Sequence, residues 1–140
     1  MERAMTVFIA DNTEEFTASL TAALQRSEGF QVVGSASDGE QAIREIRERR
    51  PDILVLDLML SKLDGFSVLK AIASMERKPI TLATSAFVSD FVSAAAVNLG
   101  VRYLMLKPCD IQSLVDRMQE IRGGEILRLQ PKRAQDKHSI

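Results

Sequence analysis

Five short apolar runs alternate strictly with five stretches of helical periodicity, and this alternation narrows the possible folds more than any other feature of the chain. Met5 to Ala10 reads as a strand, and the stretch after it sets Phe16, Leu20, Ala23 and Leu24 on one helical face. Phe30 to Val33 is a second, weaker strand, and Asp38-Gly39 opens a charged helix with Ala42, Ile43 and Ile46 as its buried stripe. Pro51 breaks that helix, and Ile53 to Leu56 is the most apolar run in the chain. Gly65 starts a third helix with Phe66, Leu69 and Ile72 inward. Ile80 to Thr84 is the next strand, and Asp90 to Leu99 a helix ended by Gly100. Tyr103 to Leu106 and Ile111 to Arg122 complete the series, with Gly123-Gly124 stopping the last helix. Strands and helices in strict turn predict an α/β fold, a doubly wound parallel sheet flanked by helices on both faces.

Composition supports one such unit. The 140 residues suffice for one domain, 1–124, followed by a polar segment, 125–140, read as a linker or disordered tail. Hydrophobic residues make up 46% and tryptophan is absent, so the core must be aliphatic. A net charge of −1 offers no footprint for direct nucleic acid contact. A single cysteine, Cys109, permits no internal disulfide and fits a reducing, cytoplasmic setting. No apolar stretch has the length of a membrane span. The single histidine, His138, argues against a histidine metal site or a Ser-His or Cys-His catalytic pair.

The polar residues that matter stand at strand ends. Asp11 and Asn12 follow the first strand, Asp57 ends the third, Thr84 and Ser85 end the fourth, and Lys107 follows the fifth. In an open α/β sheet the carboxyl ends of the strands share one edge, where ligand sites form at the switch point of strand order. Carboxylates without His or Cys suit a hard cation such as Mg²⁺. A carboxylate beside such a cation can attack a phosphoryl group, while a hydroxyl and an ammonium contact the remaining oxygens. Each residue also has a plainer reading. Asp11 fits a solvated loop, Asn12 a helix cap with Glu15 completing a capping box, Ser85 a turn and Lys107 the surface.

The motifs Ile9-Ala10-Asp11-Asn12, Asp52-Ile53-Leu54-Val55-Leu56-Asp57, Leu63-Asp64-Gly65, Ser85-Ala86 and Leu106-Lys107-Pro108 resemble the receiver domains of bacterial two-component response regulators. The resemblance covers roughly Thr6 to Arg122. It implies a flavodoxin-like, CheY-like sheet of five parallel strands in the order 2-1-3-4-5 with five helices, and phosphotransfer from a histidine kinase or histidine phosphotransfer protein. On this likeness Asp57 is the phosphoacceptor. Asp11, Asn12, Asp57 and the backbone carbonyl of Met59 form the Mg²⁺ shell. Ser85, in preference to Thr84, is the switch hydroxyl, Lys107 contacts the phosphoryl group, and the Lys107-Pro108 bond is cis. The family also implies a homodimer through the face of the fourth helix, fifth strand and fifth helix, where Asp90, Arg102, Asp116, Arg117 and Glu120 fall. The segments from Asp57 to Gly65 and from Leu99 to Pro108 look like the sporulation-regulator branch of endospore-forming Firmicutes. That likeness implies a DNA-binding effector domain absent from this chain.

Three departures bear on function. Asn12 replaces a carboxylate, Ser61 replaces a common proline, and Leu104 occupies the usual aromatic switch position, with Tyr103 one residue earlier and so on the opposite strand face. Asn12 and Leu104 support an alternative, a pseudo-receiver that works as an interaction or dimerisation module without phosphorylation. Met59 stands where an aspartyl-nucleophile phosphohydrolase would need its second acid, and the acidic run Asp11 to Glu15 does not suit a flavin phosphate loop.

Overall fold

The most apolar run occupies the middle of the sheet, where both faces are covered. The structure, a computed structural model, describes residues 3–128. The elements follow as β1 (Met5–Ala10), α1 (Glu14–Gln25), β2 (Phe30–Ala36), α2 (Gly39–Arg49), β3 (Ile53–Asp57), α3 (Gly65–Ile72), β4 (Ile80–Ser85), α4 (Asp90–Asn98), β5 (Val101–Leu106) and α5 (Ile111–Arg128). The five strands are parallel in the order β2-β1-β3-β4-β5. This is the flavodoxin-like topology that the family resemblance implies.

Strand alternation divides the core into two layers. Leu54 and Leu56 of β3, with Phe8, Ala10 and Ala83, meet Ala42 and Ile46 of α2, Val68, Leu69 and Ile72 of α3, and Ala96 of α4. Ile53 and Val55, with Val7, Ile9 and Leu82, meet Leu20, Ala23 and Leu24 of α1 and Leu114, Val115, Met118 and Ile121 of α5. Each fully buried Leu, Ile or Val in these layers contributes about 1.5–3 kcal/mol of transfer free energy. On α4 only Ala96 is buried, while Val92 and the C-cap Leu99 are partly buried against the same layer.

Asp38, Asp64 and Ser89 cap α2, α3 and α4 by accepting from the backbone N–H groups of Gln41, Ser67 and Val92. Two helix ends differ from expectation. Asn12 is not the cap of α1; Thr13 holds that position, and its side chain makes no capping bond. At the other end, α5 passes through Gly123-Gly124 to Arg128 and does not stop at Arg122. A helical glycine costs only about 1 kcal/mol relative to alanine, because its N–H still bonds. The packing of Leu114 to Ile121 carries the helix past that cost. Residues 125–128 of the segment read as a linker are therefore helical, and 129–140 lie outside the described residues. The second strand also runs on to Ala36, through a bulge opposite Val7/Phe8.

Candidate functional site

The reversal of strand order lies between β1 and β3, and the acidic residues stand on either side of it. Asp11 follows β1, with its N–H bonded to the carbonyl of Ala36 at 3.0 Å. Asp57 closes β3, and both side chains are almost fully buried. Each carboxylate is held by its own loop: Asp11 Oδ1 accepts from Thr13 N at 2.7 Å, and Asp57 Oδ1 accepts from Met59 N at 2.8 Å. Gly65 lets the loop after β3 close over the sheet edge, since a Cβ there would meet Leu58 Cα at 2.6 Å and Asp57 O at 2.8 Å.

Lys107 joins the two carboxylates. Its ammonium donates to Asp11 Oδ2 at 2.6 Å and lies 3.3 Å from Asp57 Oδ2, and it stands 4.7 Å from the centroid of the Phe16 ring. The lysine backbone is fixed by its N–H bond to Ser85 O at 2.8 Å, and the Lys107-Pro108 bond is cis. Burial opposes the charge on Lys107. The hydrogen bonds and attraction of Asp11 and Asp57 outweigh it and hold the ammonium above the ordinary lysine pKa. Two carboxylates against one ammonium leave one net negative charge in the cleft.

The other sequence candidates sit at the same edge in other relations. Asn12 is exposed beside Asp11, and Met59 is 54% exposed beside Asp57. Ser85 is buried at the end of β4, where its hydroxyl donates to Phe87 O at 2.7 Å and accepts from Phe87 N at 3.1 Å. Its hydroxyl makes no hydrogen bond to Lys107 or to a carboxylate. Leu104 packs in the layer of α2, α3 and α4, while Tyr103 lies in the layer of α1 and α5 and donates to Glu120 Oε1 at 2.9 Å.

The donor set favours a hard cation. The carboxylates offer oxygen, and burial raises the Cys109 thiol pKa, which disfavours a thiolate ligand. No three His, Cys, Asp or Glu side chains gather as a metal shell among the described residues. The two buried carboxylates, Asp11 and Asp57, fit Mg²⁺, which keeps several waters and takes one or two carboxylates.

Two residues escaped the sequence reading. Spacing puts Phe16 on the core face of α1 and does not mark it as a neighbour of Lys107. Asp52 is legible in the sequence only as part of a motif. At the opposite edge of the sheet it accepts from Thr6 N at 2.8 Å and Arg3 Nη1 at 3.1 Å and pairs with Arg77. A charged residue before the most buried strand was the available signal.

A doubly wound sheet with acidic side chains and a lysine at its switch point defines a class of α/β ligand-binding modules. Residues 7–119 match the response regulator receiver domain, and the chain belongs to that family. The NarL signal receiver domain from Mycobacterium tuberculosis is similar at 27% identity and a TM-score of 0.80, over 88% of this chain and 99% of that one. A chain of the CheX-CheY-BeF3-Mg²⁺ complex from Borrelia burgdorferi is similar at 25% identity and a TM-score of 0.75, over 85% and 90%. The receiver domain of AraT from Geobacillus stearothermophilus shares the fold at 22% identity and a TM-score of 0.81, over 91% and 99%. No helix among the described residues is long and apolar enough to cross a membrane.

Proposed function

We propose that this receiver domain is a phosphorylation switch in which Asp57 accepts a phosphoryl group from a phosphohistidine on a kinase or phosphotransfer protein. The observation that carries the reading is the single contact of Lys107 with both Asp11 and Asp57, which draws together positions 96 and 50 residues away in sequence. An Asp57 oxygen forms the new P–O bond as the P–N bond to the donor imidazole breaks, and the imidazole keeps the electron pair. Lys107 offsets charge on the phosphoryl oxygens, and Asp11 holds Lys107 in reach. Asp11, Asp57, Asn12 and the Met59 carbonyl would hold Mg²⁺, which supplies further charge neutralisation when bound.

The finer reading follows the same line. Ser85 leaves Phe87 to contact the phosphoryl group, and the face of α4, β5 and α5 then pairs with a second copy. Phe91 and Val97 are exposed on α4, and Leu106 on β5. The setting is cytoplasmic, and the output is a DNA-binding effector domain of the kind carried by sporulation regulators. A phosphorylation-independent pseudo-receiver is the second reading, favoured by Asn12 in place of a carboxylate and by Leu104 at the usual aromatic position. Incubation with acetyl phosphate and Mg²⁺, followed by intact mass, separates the two. The wild type gains one phosphoryl group and Asp57→Asn gains none. A wild type that stays unlabelled, or an Asp57→Asn variant that labels equally, refutes the phosphorylation reading.

A further inference from the structure

One buried polar atom at the sheet's carboxyl edge has no partner. Thr84 is fully buried on β4, and its Oγ1 makes no hydrogen bond. Buried hydroxyls are almost always bonded, so an orphan beside a cluster of functional groups calls for an explanation. The carbonyl of Thr84 accepts from Leu58 N, directly after Asp57, at 2.9 Å.

Register and alternation place this hydroxyl. Thr84 is the direct partner of Asp57 across β3 and β4, and of Met105 across β4 and β5. Leu82, two residues before Thr84, lies in the layer of α1 and α5, as do Val55 before Asp57, Ile9 before Asp11 and Met105 before Lys107. Side chains two apart on a strand share a face. Thr84, Asp57, Asp11 and Lys107 therefore belong to one face, whereas Ser85 follows Ala83 toward the other. The strand order β1-β3-β4-β5 supplies the remaining step. To reach Asp57 on β3 and Asp11 on β1, the Lys107 side chain must leave β5 and cross over β4, which is where Thr84 stands.

We propose that Thr84 is a positioning residue for Lys107, a second hydroxyl of the phosphoryl site alongside Ser85; this rests on Asp57 being the phosphoacceptor. In the unphosphorylated form Asp11 draws the ammonium past Thr84, at 2.6 Å, and the hydroxyl is left without a partner. As the phosphoryl group forms on Asp57, its oxygens compete with Asp11 for the ammonium. Lys107 then draws back toward β4, and Thr84 Oγ1 accepts one of its N–H groups. An ammonium has three donors and no acceptor, so the hydroxyl serves the lysine without displacing its anionic partners. The bond exists only on the phosphorylated side of the reaction, and its loss is read in rate and not in the stability of the free protein.

The test compares wild type, Thr84→Val, Thr84→Ser and Asp57→Asn by intact mass over time with acetyl phosphate and Mg²⁺, with thermal unfolding in the absence of donor. Valine keeps the shape and removes the hydroxyl; serine keeps the hydroxyl. Thr84→Val should label about fivefold or more slowly, the size of one net hydrogen bond. It should unfold at a temperature no lower than wild type, while Thr84→Ser stays within about twofold of the wild-type rate. Equal rates for Thr84→Val and wild type overturn the inference and leave the phosphoacceptor reading intact. Equal slowing in Thr84→Ser also overturns it, because the methyl packing is then responsible. A wild type with no Asp57-dependent labelling overturns both.

Discussion

Replacing Asn12 by aspartate tests whether this position belongs to the cation shell. A unit charge at 4 Å from another is worth about 1 kcal/mol in water and about 4 kcal/mol at an effective dielectric near 20. Asn12 is exposed next to the buried Asp11, so the lower part of that range applies. Part of the gain is offset by desolvation of the new carboxylate, leaving about 1–2 kcal/mol, or roughly five- to thirtyfold tighter Mg²⁺ binding. Lys107 already neutralises one of the two carboxylates in the cleft, so a third carboxylate adds repulsion while the cation is absent. The variant should therefore melt slightly below wild type in chelator and gain more stability from Mg²⁺, as linkage requires. Capping does not confuse the result, because Thr13 and not Asn12 is the N-cap of α1. The assay is Mg²⁺ titration by calorimetry, with thermal unfolding across the same concentrations and labelling rates alongside. Unchanged Mg²⁺ affinity in Asn12→Asp would refute the placement of residue 12 in the metal shell.

Two other predictions concern regions outside the cleft. Burial of Asp52 opposes its charge, yet the hydrogen bonds from Arg3 and Thr6 and the nearby Arg77 hold its carboxyl below the ordinary value of 3.8. Its stabilisation is thus present above that value and lost as pH falls through the lower folded value. Asp52→Asn should cost about 1–2 kcal/mol near neutral pH and flatten the acid limb of stability, and an unchanged limb in pH-dependent denaturant unfolding would remove Asp52 from its cause. Phosphorylation should shift the chain toward a salt-sensitive dimer through α4, β5 and α5, and identical monomer fractions by sedimentation with and without the phosphoryl group would contradict this.

The order of elements, the central place of Ile53–Asp57 and the strand-end position of each polar residue were legible in the sequence, because each is set by local periodicity. A short run apolar at every position suits a strand covered on both sides, and residues after strands of a parallel sheet must meet at one edge. The family motifs then named the residues at that edge. Local pattern could not decide what depends on energies summed over distant contacts. The packing of α5 on the layer of α1 outweighs two glycines, so the helix runs past the point where the chain reads as broken. Asn12 followed by Glu15 reads as a cap, yet the helix begins one residue later, since Asp11 binds Thr13 N in the turn before it. Likewise, Thr84 and Ser85 are adjacent hydroxyls in sequence, and only the register of β4 against β3 and β5 puts one of them on the face of Asp57. Which of two neighbours faces a site is a one-residue question of strand register, and register is settled by pairing with strands dozens of residues away.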